Sequence, residues 1–147
     1  MKQFTDRAGH VWTLTLNLGT AMQVRAAMSA DLLAPEAGDP PLLTRLATDE
    51  YLLGGVIFEL MRRQAEERKL TEADVRDSFD GQTLLAAQEA FFAEMVDFFR
   101  SCGRADRAAA VAKHAALMQA AVRAAEAQVA AIRPETILGG TSGASPG

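Results

Sequence analysis

The stretch from about Arg104 to Ile132 constrains the fold more than any other part of the chain. Ala108, Val111, Ala115, Met118, Val122, Ala125, Val129 and Ile132 recur there in alternating steps of three and four. That spacing puts them on one stripe of an α-helix, at the a and d positions of a heptad seam. Arg107, Lys113, Arg123, Glu126 and Arg133 lie off the seam, and Pro134 halts the helix. The alanines let a partner helix approach closely. Such a seam either packs inside the domain or pairs with another copy or a partner helix, through Val111, Ala115, Met118, Val122, Ala125 and Val129.

The rest of the chain predicts a mainly α protein of the α+β class, in which an N-terminal β-hairpin packs on a bundle of about five helices. Of the 147 residues, 49% are hydrophobic, with alanine prominent and only 6% aromatic. Alanine is the best intrinsic helix former. The length suits one domain, over residues 1–133, able to bury roughly two-thirds of its unfolded surface without metal or disulfide staples. The Gly/Ser/Thr-rich segment 134–147 reads as a disordered tail.

Residues 3–17 predict the hairpin. Asp6-Arg7-Ala8-Gly9 is turn chemistry, and from His10 to Asn17 the apolar side chains alternate. Trp12, Leu14 and Leu16 fall on one face, which is the core face. Thr20 with Gln23 three residues on fits a capping box opening a helix over 20–30. The Pro-rich stretch 34–47 predicts a loop, with Leu42, Leu43 and Leu46 as a short turn tacking it to the core. Thr48 is an N-cap candidate for a helix over 48–69 whose stripe is Leu53, Val56, Ile57, Leu60 and Met61. Gly54-Gly55 inside that helix points to a close helix crossing or to a hinge. Thr71 with Asp74 caps a helix over 71–79, Asp80 caps one over 81–101, and Gly103 stops it. The last helix, over 104–132, is the long one.

Charge narrows the function classes. The formal net charge is −4, which argues against a general nucleic-acid binder. Residues 48–97 carry 12 acidic and 5 basic side chains, whereas 100–133 carry 6 basic and 2 acidic. These read as solvated faces of unlike sign or as surfaces that attract each other. The single cysteine, Cys102, rules out an internal disulfide. No apolar stretch approaches the ~20 residues needed to span a bilayer. The opening MKQFTDRAGH lacks a secretory apolar region, so the expected compartment is the cytoplasm.

Catalytic and metal-binding constellations are missing from the sequence. There is no phosphate loop and no dinucleotide fingerprint. Two histidines and one cysteine are too few for a histidine-based zinc site. Cys102 sits at a helix C-terminus, where the dipole disfavours a thiolate. The acids Glu72, Asp74, Asp77 and Asp80 lie on capped helices without the central glycine of a calcium loop. The chain therefore reads as a non-enzymatic binder with no catalytic residue, cofactor or metal.

What it offers a partner is apolar surface. Phe91, Phe92, Phe98 and Phe99 form two adjacent pairs on one helix, and adjacent residues cannot all face one way. Either a wide core face absorbs them, or part of the surface stays open for an apolar partner segment. The candidate partner-binding residues are Tyr51, Leu52, Phe58, Phe91, Phe92 and Phe98.

Three segments carry a family resemblance: Phe4-Thr5-Asp6-x-x-Gly9-x-x-Trp12-x-Leu14, Asp77-Ser78-Phe79-Asp80-Gly81-x-x-Leu84, and Asp97-Phe98-Phe99 at the end of the phenylalanine-rich helix. Over roughly residues 3–100 the chain resembles the small tail assembly chaperones of tailed phages and prophages. The resemblance implies a protein that binds apolar helical stretches of a tape-measure protein and keeps it soluble until the tail tube forms around it. It also implies a gene between those for tail tube and tape measure, and in some members a longer frameshifted form. A structural, self-associating helical protein of the virion or its neck is the alternative expectation.

Overall fold

The computed structural model describes residues 1–132. They form strands β1 (Lys2–Thr5) and β2 (Val11–Leu14), then helices α1 (Leu18–Met28), α2 (Leu42–Thr48), α3 (Glu50–Glu67), α4 (Glu72–Asp77), α5 (Gly81–Ser101) and α6 (Ala105–Ala131). The mainly helical architecture, the N-terminal hairpin and the long last helix are those the sequence predicts. The additional short helix is α2. It forms where a leucine turn is expected, and it buries Leu42 and Leu46. The tail expected to be disordered over 134–147 lies outside the described residues.

The chain divides into two units, Met1–Ala115 and a second beginning at Ala116. The division falls inside α6.

In the first unit the hairpin pairs antiparallel with Phe4 opposite Trp12 and Lys2 opposite Leu14. Trp12, Leu14 and Leu16 are buried, as their alternation requires. Gly9 turns the chain at φ +91°, a conformation open to glycine. A two-stranded ribbon is marginal in water, and two helices secure this one. Gln64 of α3 accepts the Thr13 N–H at 3.0 Å and donates to the Thr13 carbonyl at 2.6 Å, as a third strand would. On the β1 side the ribbon packs on α5, and Phe4 meets Phe79, in the link before that helix, edge-on at 5.5 Å.

The helix starts follow capping rules, at positions that differ in two places from the sequence reading. Asn17, not Thr20, caps α1. Thr20 occupies N3 of the box, donating its own N–H to Asn17 Oδ1 and accepting the Asn17 N–H. Gln23 is thereby free of the cap and donates to the Glu59 carbonyl at 3.0 Å. Asp49, not Thr48, caps α3, accepting the N–H groups of Tyr51 and Leu52. Thr48 closes α2 by donating to the Thr44 carbonyl. Thr71 with Asp74 and Asp80 with Thr83 cap α4 and α5 as expected.

Helix α3 is the central element, packed against α1, α2, α5 and β2. Its predicted stripe of Leu53, Val56, Ile57, Leu60 and Met61 is buried throughout. Gly55 marks the close crossing: a Cβ there would lie 2.5 Å from Met28 Cε. Gly54 has open space instead, with nothing within 4 Å of its Cβ position.

Candidate functional site

One face of α3 opens into a groove of about 580 Å³. Glu50, Tyr51, Gly54, Gly55, Phe58 and Glu59 line it, a set recurring every four residues along α3. The opposite wall is Val75 with Glu72 and Arg76 from α4, continued by Phe79 and Leu84 where α4 passes into α5. Met28, at the end of α1, closes the floor beside Gly55. The local reasons are plain. Two consecutive glycines remove side chains from the middle of an α3 face. The short α4 opens on its own capping box, Thr71 with Asp74.

The lining combines apolar walls with a charged lip. Phe58 is half-buried, and the Arg62 guanidinium lies 4.9 Å from its ring centroid, a cation–π contact. Tyr51 is 93% exposed, an aromatic ring standing almost free at one end. Glu59 is buried. The Arg62 guanidinium, donating at 2.6 and 3.0 Å, holds its carboxyl below the usual carboxylate range, and Gln23 adds to the effect against the opposing pull of burial. Glu72 is paired with Arg76 along α4. The Glu50 carboxylate has no ion pair or side-chain hydrogen bond among the described residues.

No family model, curated protein or solved structure matches the chain. The chemistry of the groove is therefore read from its own residues. An open apolar trough with charge at its edges fits an amphipathic helix laid lengthwise. No group of three or more His, Cys, Asp or Glu among the described residues could hold a metal ion.

The structure sorts the sequence candidates. It brings Tyr51 and Phe58 together on the groove. Leu52 and Phe98 are half-buried but do not line it. Phe91 and Phe92 are corrected outright, being 1% and 2% exposed. Their rings meet edge-on at 5.4 Å, and α5 has a face wide enough to bury both. Phe98 packs edge-on against Phe99 at 5.5 Å. Sequence reasoning missed the groove's other wall. The signals were present in the Gly54-Gly55 pair and in Phe79 and Leu84 flanking the Asp80 cap, but only the tertiary arrangement shows that they face one another.

The remaining candidates are placed elsewhere. Along the heptad seam Val111 is buried and Ala115 and Met118 are intermediate, whereas Val122, Ala125 and Val129 are exposed. Cys102 is exposed at the end of α5. His114 is half-buried with its Nε2 unpartnered, near the Phe92 ring, and burial lowers its pKa. His10 is half-buried and held by Asp6, with Nδ1 3.0 Å from Oδ2. No helix among the described residues is long and apolar enough to cross a membrane.

Proposed function

We propose that this protein is a non-enzymatic assembly chaperone of the phage tail type, which acts in the host cytoplasm and holds apolar helical segments of a tape-measure protein in the groove between α3 and α4. The groove is the observation that carries the reading. It offers the half-buried Phe58, Phe79, Leu84 and Met28 to an apolar helix, and methionine adapts its shape to irregular partners. A tape-measure protein is long and rich in apolar helix, so it aggregates unless that surface is masked. The family resemblance at Phe79 and Leu84 falls on residues of the same groove. No cofactor is needed for masking.

Co-expression with a tape-measure-type protein tests the proposal. Wild-type chain keeps the partner soluble and co-purifies with it, and Phe58→Asp and Gly54→Leu each abolish co-purification. The Cβ added in Gly54→Leu meets open space, and the side chain beyond it occupies the groove. Folded variants that still co-purify contradict the proposal.

A second reading, a self-associating structural protein of the virion or neck, is favoured by one observation. In the second unit the seam residues Val122 and Val129 are 39% and 67% exposed. Pairing of two copies would cover this seam. Light scattering separates the readings: a structural component assembles into large particles that Val122→Asp disperses, whereas a chaperone stays small.

A further inference from the structure

The dimensions of the groove and the charge on its lip restrict what can occupy it, and this inference rests on the groove being a helix-binding site. Along α3 the lining runs from Glu50 to Glu59. At 1.5 Å per residue that is about 14 Å, room for roughly two and a half turns of a docked helix. Such a helix meets the walls through apolar residues at i, i+3 or i+4, and i+7. The open space over Gly54 admits a side chain at the midpoint.

The lip carries the Glu50 and Glu72 carboxylates and the Arg76 guanidinium, with Glu59 buried behind them and the Arg62 guanidinium over the Phe58 ring. Glu59 is already engaged by Arg62 and Glu72 by Arg76. That leaves Glu50, in the first turn of α3 beside the exposed Tyr51, as the uncommitted charge. The wider field has the same sign, since residues 48–97 carry 12 acidic and 5 basic side chains. A helix bearing carboxylates beside its apolar stripe would be repelled here, and one bearing ammonium or guanidinium groups would be drawn in.

We infer that the groove selects apolar helices of two to three turns that carry Lys or Arg beside the apolar stripe, with a cation set against Glu50. Charge at an exposed lip contributes modestly to affinity. It acts as a filter on partner sequence, and the apolar walls supply most of the binding.

Two synthetic 14-residue helical peptides test this. They share one Leu/Ala stripe and differ only in Lys or Glu flanks, and they are titrated into the full chain by fluorescence anisotropy at low and high salt. The Lys-flanked peptide is expected to bind about two- to fivefold more tightly at low salt, with the difference shrinking at high salt. Glu50→Gln narrows the difference and Glu50→Lys reverses it. Equal affinities for both peptides, lost together in Gly54→Leu, overturn the charge filter and leave the helix-binding groove standing. Failure of both peptides to bind, or binding unchanged by Gly54→Leu, overturns the filter and the groove reading together.

Discussion

The indole N–H of Trp12 donates to Asp6 Oδ2 at 2.8 Å inside the hairpin. The same carboxylate accepts the His10 N–H at 2.9 Å, so a turn residue becomes the polar centre of the N-terminal ribbon. Trp12 is fully buried, and the Arg68 guanidinium covers its other side, 4.4 Å from the ring.

Asp6→Ala leaves the buried Trp12 indole N–H, the His10 backbone N–H and His10 Nδ1 without their partner. A buried unsatisfied donor costs about 1–3 kcal/mol, so the variant should lose roughly 2–4 kcal/mol, read as a lower urea midpoint at unchanged slope. Burial works to raise the Asp6 pKa, but the hydrogen bonds from Trp12 and His10 outweigh it and hold the carboxyl below its ordinary 3.8. A lowered carboxyl pKa stabilises the fold above the unfolded value and loses that stabilisation as pH falls below 3.8 towards the folded value. The acid limb of the stability profile should therefore flatten in Asp6→Asn.

His114 works in the opposite chemical sense with the same direction in pH. Burial lowers its pKa from 6.5, so the folded state keeps it neutral. Its contribution is complete above 6.5 and declines as pH falls below that value, because the unfolded chain binds the proton more readily. His114→Gln should reduce the fall in Tm between pH 7.5 and pH 5.5. An identical fall in both proteins would show that another group governs this range.

The adjacent glycines of α3 should respond differently to alanine. Gly54→Ala adds a Cβ to open space and should gain about 1 kcal/mol of helix propensity. In Gly55→Ala the new Cβ meets Met28 Cε at 2.5 Å and must displace it, which offsets the same gain. Thermal melts of the two variants compare them directly, and a higher Tm for Gly54→Ala is the expected order.

The corrected caps make a further pair of expectations. Asn17→Ala and Asp49→Ala should each cost about 1 kcal/mol, and Thr48→Ala should cost less. Thr48 donates only to the Thr44 carbonyl at the exposed end of α2. Chemical denaturation of the three variants gives the ranking.

Local chemistry made most of the fold legible in the sequence. The alternation around Trp12, the Thr71–Asp74 box, the Asp80 cap and the Gly103 stop, with φ +78°, each depend on residues within one turn of one another. The misreadings came from competition between neighbours. Asn17 outbids Thr20 because Thr20 can serve as the box partner, and Asp49 outbids Thr48 by one position. Asp6 looked like a turn residue because its Trp12 contact crosses the hairpin. The site was legible only in part. Tyr51 and Phe58 sit on the groove face of α3, but Phe91 and Phe92 could not be assigned to core or surface until the width of the α5 core face was known. Phe91→Asp therefore reports on folding and not on binding.

The central claim is that an apolar helix occupies the groove between α3 and α4. Backbone NMR of the full chain, titrated with the Lys-flanked peptide, tests it most directly. The account predicts shifts concentrated at Tyr51, Gly54, Gly55, Phe58, Val75 and Leu84, with the hairpin unmoved. Shifts confined to α6, or none at saturating peptide, would contradict it.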